Sequence, residues 1–149
     1  MARTQLKVRE ATGRNDGPQV QAYLATVGLK GNWPWCGAFV AWCSVKAHVQ
    51  TPPGAGAARA YFPASRIIWR QGRALRAVPA PNDVVGYRWS RRDAEDHVGI
   101  LEVWGTSPLA ATLEGNTSGG RLDRDGQGVY RNWRFKSQIY QIARWPQRP

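Results

Sequence analysis

An α+β fold with an antiparallel sheet is the architecture this 149-residue chain predicts, and the order of its patterns is the reason. Apolar residues at helical spacing fill the first third. β-type runs separated by turn residues fill the second half, and a Pro/Gly breaker, Thr51 to Ala58, lies between the two halves. Helices first and strands afterwards give an α+β domain rather than alternating βαβ units. Hydrophobic residues make up 42% of the chain and include eight tryptophans, so disorder is excluded: large apolar groups can offset the entropy of ordering the backbone. The length is that of one domain, spanning 1–149, with no repeat or low-complexity linker to mark a separate binding module.

The elements follow in order. Glu10 to Gly17 is polar and turn-rich; behind Asp16, a candidate N-cap, Val20, Tyr23, Leu24 and Val27 recur at helical spacing and predict a helix over Pro18 to Leu29. Gly31 and Pro34 mark a loop. Trp35 to Val49 is apolar with no glycine beyond Gly37, which predicts a buried central helix opened by Cys36. One more short helix is expected within Tyr61 to Gly72. Strands are expected at Asp83 to Trp89, His97 to Trp104, Ala110 to Glu114, Gly128 to Phe135 and Ile139 to Trp145, and Gly119 to Gly128, with its Asp-Arg-Asp-Gly run, reads as a hairpin loop.

Charge narrows the partner. The 21 Lys and Arg against 10 Asp and Glu leave a net +11, almost all of it arginine, and a basic field attracts polyanions: nucleic acid, murein with its teichoic acids, or a membrane surface. Met1 to Lys7 lacks the apolar core of a signal peptide, and no apolar run approaches the roughly 20 residues of a membrane helix. A protein made in the cytoplasm, with no stable membrane insertion, is expected.

Two cysteines occur. On one helix Cys36 and Cys43 lie about 10 Å apart along the axis, beyond the roughly 7 Å that a disulfide spans between Cα atoms. With only His48 and His97 as further soft ligands, no zinc site is expected. A cysteine that attacks as thiolate belongs where negative charge is stabilised, and a helix N-terminus with its free N–H groups is such a place. Cys36 meets that condition; Cys43, two turns deeper among Phe39, Val40 and Trp42, reads as core. His97 opens a strand where its ring could face a cleft, whereas His48 ends the central helix and suits its C-terminal dipole. Glu114 and Asn116, two apart on the next strand, share a face if that strand stays regular. A carboxylate on one imidazole nitrogen fixes the tautomer and leaves the other for the thiol.

These motifs stand in a telling order. WPWCGAFVAWC, then DHVGILE, then TLEGNTSGG, preceded by EATGRNDGPQVQAYL and PNDVVGY, resemble the CHAP family of cysteine- and histidine-dependent amidohydrolases and peptidases, within the papain-like cell-wall hydrolases. The resemblance runs from about Glu10 to Trp145. It implies a papain-like fold in which N-terminal helices pack on an antiparallel sheet of about five or six strands. It also implies Cys36 as nucleophile, His97 as base, Glu114 as the residue that orients the ring and Asn116 as a fourth polar position. Neither metal nor organic cofactor is implied. The implied substrate is bacterial peptidoglycan, cut at an amide of the peptide stem by a monomeric, endolysin-like enzyme that reaches the wall through a holin or another delivery system. An antibacterial effector of the same chemistry is the alternative, and a basic nucleic-acid-binding module ranks third.

Overall fold

Helix α1 spans Pro18–Thr26 and starts on a proline, whose missing N–H costs nothing in a first turn. Its N-cap is Gly17, not Asp16; the Asp16 carboxylate accepts instead from the Thr12 amide at 2.9 Å and the Thr12 hydroxyl at 2.7 Å, closing the preceding turn. The helix stops short of Leu29 because Gly28, at φ +73°, turns the chain left-handed and Leu29 N–H bonds back to Leu24. Helix α2, Cys36–Lys46, ends by the same device before Val49: His48 takes φ +55°, its N–H reaches Val45 and that of Val49 reaches Ser44. His48 is exposed, and its backbone rather than its charge shapes the helix end. These elements come from a computed structural model that describes residues 1–90, 94–119 and 126–148.

Two 3₁₀ turns, Ala2–Gln5 and Ala58–Tyr61, flank the helical half. The expected helix within Tyr61 to Gly72 is a strand. Ile67, Ile68 and Trp69 are all buried in β1, Ile67–Arg70, as β-branched and aromatic residues favour. The chain then reverses through Gln71 and Gly72, both at positive φ, into β2, Arg73–Ala74. The remaining strands are β3, Val84–Tyr87; β4, His97–Trp104; β5, Leu109–Thr117; β6, Gly128–Phe135; and β7, Gln141–Ala143. They form one antiparallel sheet of seven strands in the order β2-β1-β7-β3-β4-β5-β6, larger than the five or six expected because the β1–β2 hairpin adds to it. β7 is shorter than Ile139 to Trp145, and a 3₁₀ turn, Lys136–Gln138, precedes it. Most of the expected hairpin loop, 120–125, lies outside the described residues; its two strands pair down to Thr117 opposite Gly128. No described helix is long and apolar enough to cross a membrane.

Strand alternation sorts the side chains into two clusters. Val84, Val98, Leu113 and Val129 pack beneath α1 and α2 with Tyr23, Trp35 and Phe39, while Val85, Tyr87, Leu101, Ala110 and Ile142 pack together with Trp69. Tyr23 is the hinge of the helical layer, its ring 5.6 Å from those of Trp35 and Phe39 and 5.4 Å from that of Trp42. Gly115 lets the helix lie flat on β5, since a Cβ there would sit 2.7 Å from atoms of both Phe39 and Trp35. α2 thereby runs across β4 and β5, with its first residue at the end of the sheet where β4 begins.

Candidate active site

Glu114 is the centre of a buried polar cluster. It is fully buried on β5, and period-2 alternation places Thr112 of the same strand and Asn132 and Arg134 of β6 on its face. Oε1 accepts from Thr112 Oγ1 at 2.6 Å, from Tyr87 Oη at 3.0 Å and from Arg134 Nε at 2.9 Å. Oε2 accepts from Arg134 Nη2 at 2.6 Å and Asn132 Nδ2 at 3.4 Å, and lies 3.1 Å from His97 Nε2. A Cβ at position 99 would lie 2.7 Å from Glu114 Cγ, so Gly99 on β4 makes room for this side chain. Burial alone would raise the Glu114 pKa, but hydrogen bonds from Arg134 and His97, with their positive charges, outweigh it and hold the carboxyl well below its usual range.

His97, the first residue of β4, is fully buried, so its ring is oriented by contacts on every side. Trp89 stacks on it at 4.7 Å between ring centres and 21° between planes; Arg134 lies over the far ring system, 5.1 Å from Trp89 and 5.8 Å from Tyr87. With Nε2 on Glu114, the other nitrogen, Nδ1, has no hydrogen-bond partner among the described residues. Among the described residues Cys36 is the other ionisable neighbour of the ring. Burial lowers the imidazole pKa, but the side chain of Cys36 and then that of Glu114 more than reverse this and push it up to about 9. Thiol and ring are thus neighbours close enough to couple, at a geometry looser than a well-formed hydrogen bond.

Cys36 opens α2 at 6% exposure, behind Trp35 as N-cap. The first hydrogen bond of this turn runs from Phe39 N–H to Trp35 O, at 2.8 Å; among the described residues nothing accepts from the N–H groups of Cys36, Gly37 or Ala38. A small anion beside the sulfur would meet these donors and the positive end of the helix. Gly37 is needed at this spot because the carbonyl oxygens of Ala55 and Gly56 would lie 2.7 and 2.6 Å from any Cβ. Tyr61 Oη donates to Gly37 O at 2.8 Å and pins the turn from below.

The structure therefore gathers Cys36, His97 and Glu114, while Asn116 sits elsewhere. The strand does not stay regular past Glu114: the β5–β6 register shifts between Glu114 and Thr117, and Asn116 takes φ +57°. Its Oδ1 accepts from Trp35 N–H at 2.9 Å, and its Nδ2 donates to Gly126 O, Asn15 Oδ1 and Glu10 Oε1 at 3.0, 3.0 and 3.3 Å. Asn116 thus holds the entry to α2 instead of the ring. Glu10 completes this brace by accepting from Trp35 Nε1 at 2.8 Å and Asn15 N–H at 2.9 Å.

Cys43 is buried and its thiol is pushed up to about 12 by desolvation; it borders a cavity of about 310 Å³ lined by Ala47, Val84, Ile100 and Leu113, with no imidazole in it. Both cysteines are free. No cluster of three His, Cys, Asp or Glu that could hold a metal occurs among the described residues. Tyr87, Trp89, Asn132 and Arg134 escaped the sequence reading. For Asn132 and Arg134 the sequence signal pointed the other way, since alternation along Val129 to Phe135 puts Trp133 and Phe135 on the apolar face, yet those two are exposed and Asn132 and Arg134 are buried.

Comparison with protein-family models, with curated proteins and with solved structures finds no match. What the fold and the site define together is a class: an α+β protein with a buried cysteine–histidine–glutamate constellation at a helix N-terminus.

Proposed function

We propose that this chain is a cysteine amidase or peptidase that cuts an amide bond in the peptide stem of bacterial murein. The observation that carries the proposal is the placement of His97: Nε2 on a buried, ionised Glu114, Nδ1 unspent, and the Cys36 thiol as its neighbour at the free N–H end of α2. In the reaction, His97 and Cys36 form an imidazolium–thiolate pair, and the sulfur attacks the amide carbon. The carbonyl oxygen becomes an oxyanion facing the amides at the start of α2. His97 passes its proton to the leaving amine, the C–N bond breaks, and a thioester remains. Water, losing a proton to the same imidazole, hydrolyses the thioester and frees the thiol.

Murein as the substrate rests on the resemblance of the three motifs and on the basic charge, which favours a polyanionic wall. The same chemistry serves an endolysin and an antibacterial effector. Digestion of purified murein followed by mass spectrometry of the released fragments tests the proposal. Free stem peptides are expected from an amidase, and stems with new internal termini from an endopeptidase; the Cys36→Ser variant should release neither. Intact murein after prolonged incubation with folded wild-type protein would reject the substrate.

A further inference from the structure

We propose that Arg134 is a positioning residue of this site: through two guanidinium bonds it holds the Glu114 carboxylate ionised and in place, and thereby fixes His97 for Cys36. The inference rests on Cys36 and His97 being the reacting pair. It goes beyond that pairing because Arg134 sits one residue beyond the ring, on the far side of Glu114.

The geometry separates Arg134 from an ordinary surface ion pair. Its side chain is 2% exposed, its Nε and Nη2 meet the two different oxygens of one carboxylate, and its guanidinium plane lies over Trp89 and Tyr87. A planar fork meeting a planar carboxylate at two points fixes rotation as well as position. Among the described residues the groups facing Glu114 are Tyr87 from β3, His97 from β4, Thr112 from its own strand, and Asn132 and Arg134 from β6; from α2, Cys36 faces His97. Of these, Arg134 alone is a permanent cation. The others donate neutral hydrogen bonds or, in the case of His97, carry a charge that depends on Glu114 itself. Remove Arg134, and a buried carboxylate is left to hold its charge against desolvation with one titrating partner. It then takes up a proton at a higher pH, and once neutral it no longer supports the imidazolium opposite the thiol. The acid side of the pair moves up in pH.

That shift can be read without any substrate. In a Cys43→Ser background, the rate at which iodoacetamide alkylates Cys36, followed by mass spectrometry from pH 4 to 10, reports thiolate formation directly. For Arg134→Gln the acid inflection is expected to rise by about one pH unit or more. Arg134→Lys keeps the charge but cannot make both bonds; its inflection should stay near wild type while the plateau rate falls several-fold. In a Glu114→Gln background, adding Arg134→Gln should change the profile less than about twofold at any pH, because the route through Glu114 is already cut.

A folded Arg134→Gln protein with the wild-type inflection would overturn the proposal and leave Arg134 a structural cation. A full shift persisting in the Glu114→Gln background would overturn it too, since Arg134 would then act on the pair directly. Should Arg134→Gln fail to fold, Arg134→Lys decides: an unchanged inflection together with an unchanged plateau assigns Arg134 to the fold alone. Failure of the underlying pair looks different. There His97→Ala leaves the alkylation profile of Cys36 unaltered, whatever happens at position 134.

Discussion

Cys36 and Cys43 are the same side chain on the same helix in two settings, one beside an imidazole at a helix start and one desolvated in apolar packing. The Cys43→Ser variant is expected to keep wild-type activity on murein while losing roughly 1–2 kcal/mol of stability, the cost of a hydroxyl without a partner in that core. A denaturant titration alongside an activity assay checks both halves; an inactive but fully folded Cys43→Ser protein would reverse the assignment of nucleophile. His97→Ala should remove nearly all the rate and Glu114→Gln should remove less, leaving the ring present but poorly held. Asn116→Ala belongs to another category. Because its amide holds Trp35 N–H and Glu10, its loss should loosen the start of α2 and lower both stability and rate. A fall in rate with unchanged unfolding midpoint would argue instead for direct contact with the reacting groups. At this scale Cys36, His97 and Glu114 were legible because each lies in a short motif whose chemistry is local. Arg134 was not, for its partner is 20 residues away and is set by the β5–β6 register. Asn116 was misplaced because a bulge, invisible in alternation, rotates it off the face it was expected to share.

The two helices stop through backbone turns that the sequence shows unequally. After α1 the left-handed position is Gly28, a ready signal; after α2 it is His48, where nothing in the side chain announces the turn. A non-glycine residue in that conformation costs on the order of 1 kcal/mol, so His48→Gly is expected to stabilise the protein by about that amount without touching activity. Thermal unfolding measures it, and an unchanged or lower midpoint would show that the exposed imidazole makes up the difference. Gly115 gives the opposite case. Its Cβ would meet the Phe39 side chain and the Trp35 ring at 2.7 Å, so Gly115→Ala should push α2 off β5 and destabilise by roughly 1–3 kcal/mol. Since Glu114 precedes it and Cys36 follows Trp35, activity should fall further than stability predicts. The β1–β2 hairpin escaped the sequence reading for a related reason: Gln-Gly is a weak turn pair, and Ile67–Arg70 is too short to show alternation even though its β-branched and aromatic residues favour a strand.

Across the whole molecule, the buried pair ties stability to pH at two ends. The Glu114 carboxyl is held below its ordinary value near 4.5, so the stability it lends is present above that value and drains away as pH falls through the folded pKa. The His97 imidazole is pushed up from 6.5 to about 9, so its share is complete below 6.5 and is lost as pH rises through about 9. Unfolding free energy should therefore be flat between about pH 4.5 and 6.5 and fall by roughly 2 kcal/mol by pH 9; the alkaline decline should vanish in His97→Gln. Chemical denaturation across that range decides it, and an identical decline in the variant would place the titration elsewhere. The brace at the entry to α2 bears on time instead of energy. Val8 and Glu10 bond to Val129 and Gln127, and Glu10 and Asn116 together grip Trp35, so the turn that presents Cys36 is finished by chain 81 residues further on. A ribosome makes that chain well after Cys36. If Cys36 and His97 are the reacting pair proposed above, the cysteine is made before both its imidazole partner and the residues that hold its helix entry, and its thiol is expected to gain reactivity only once β4 and β5 have docked.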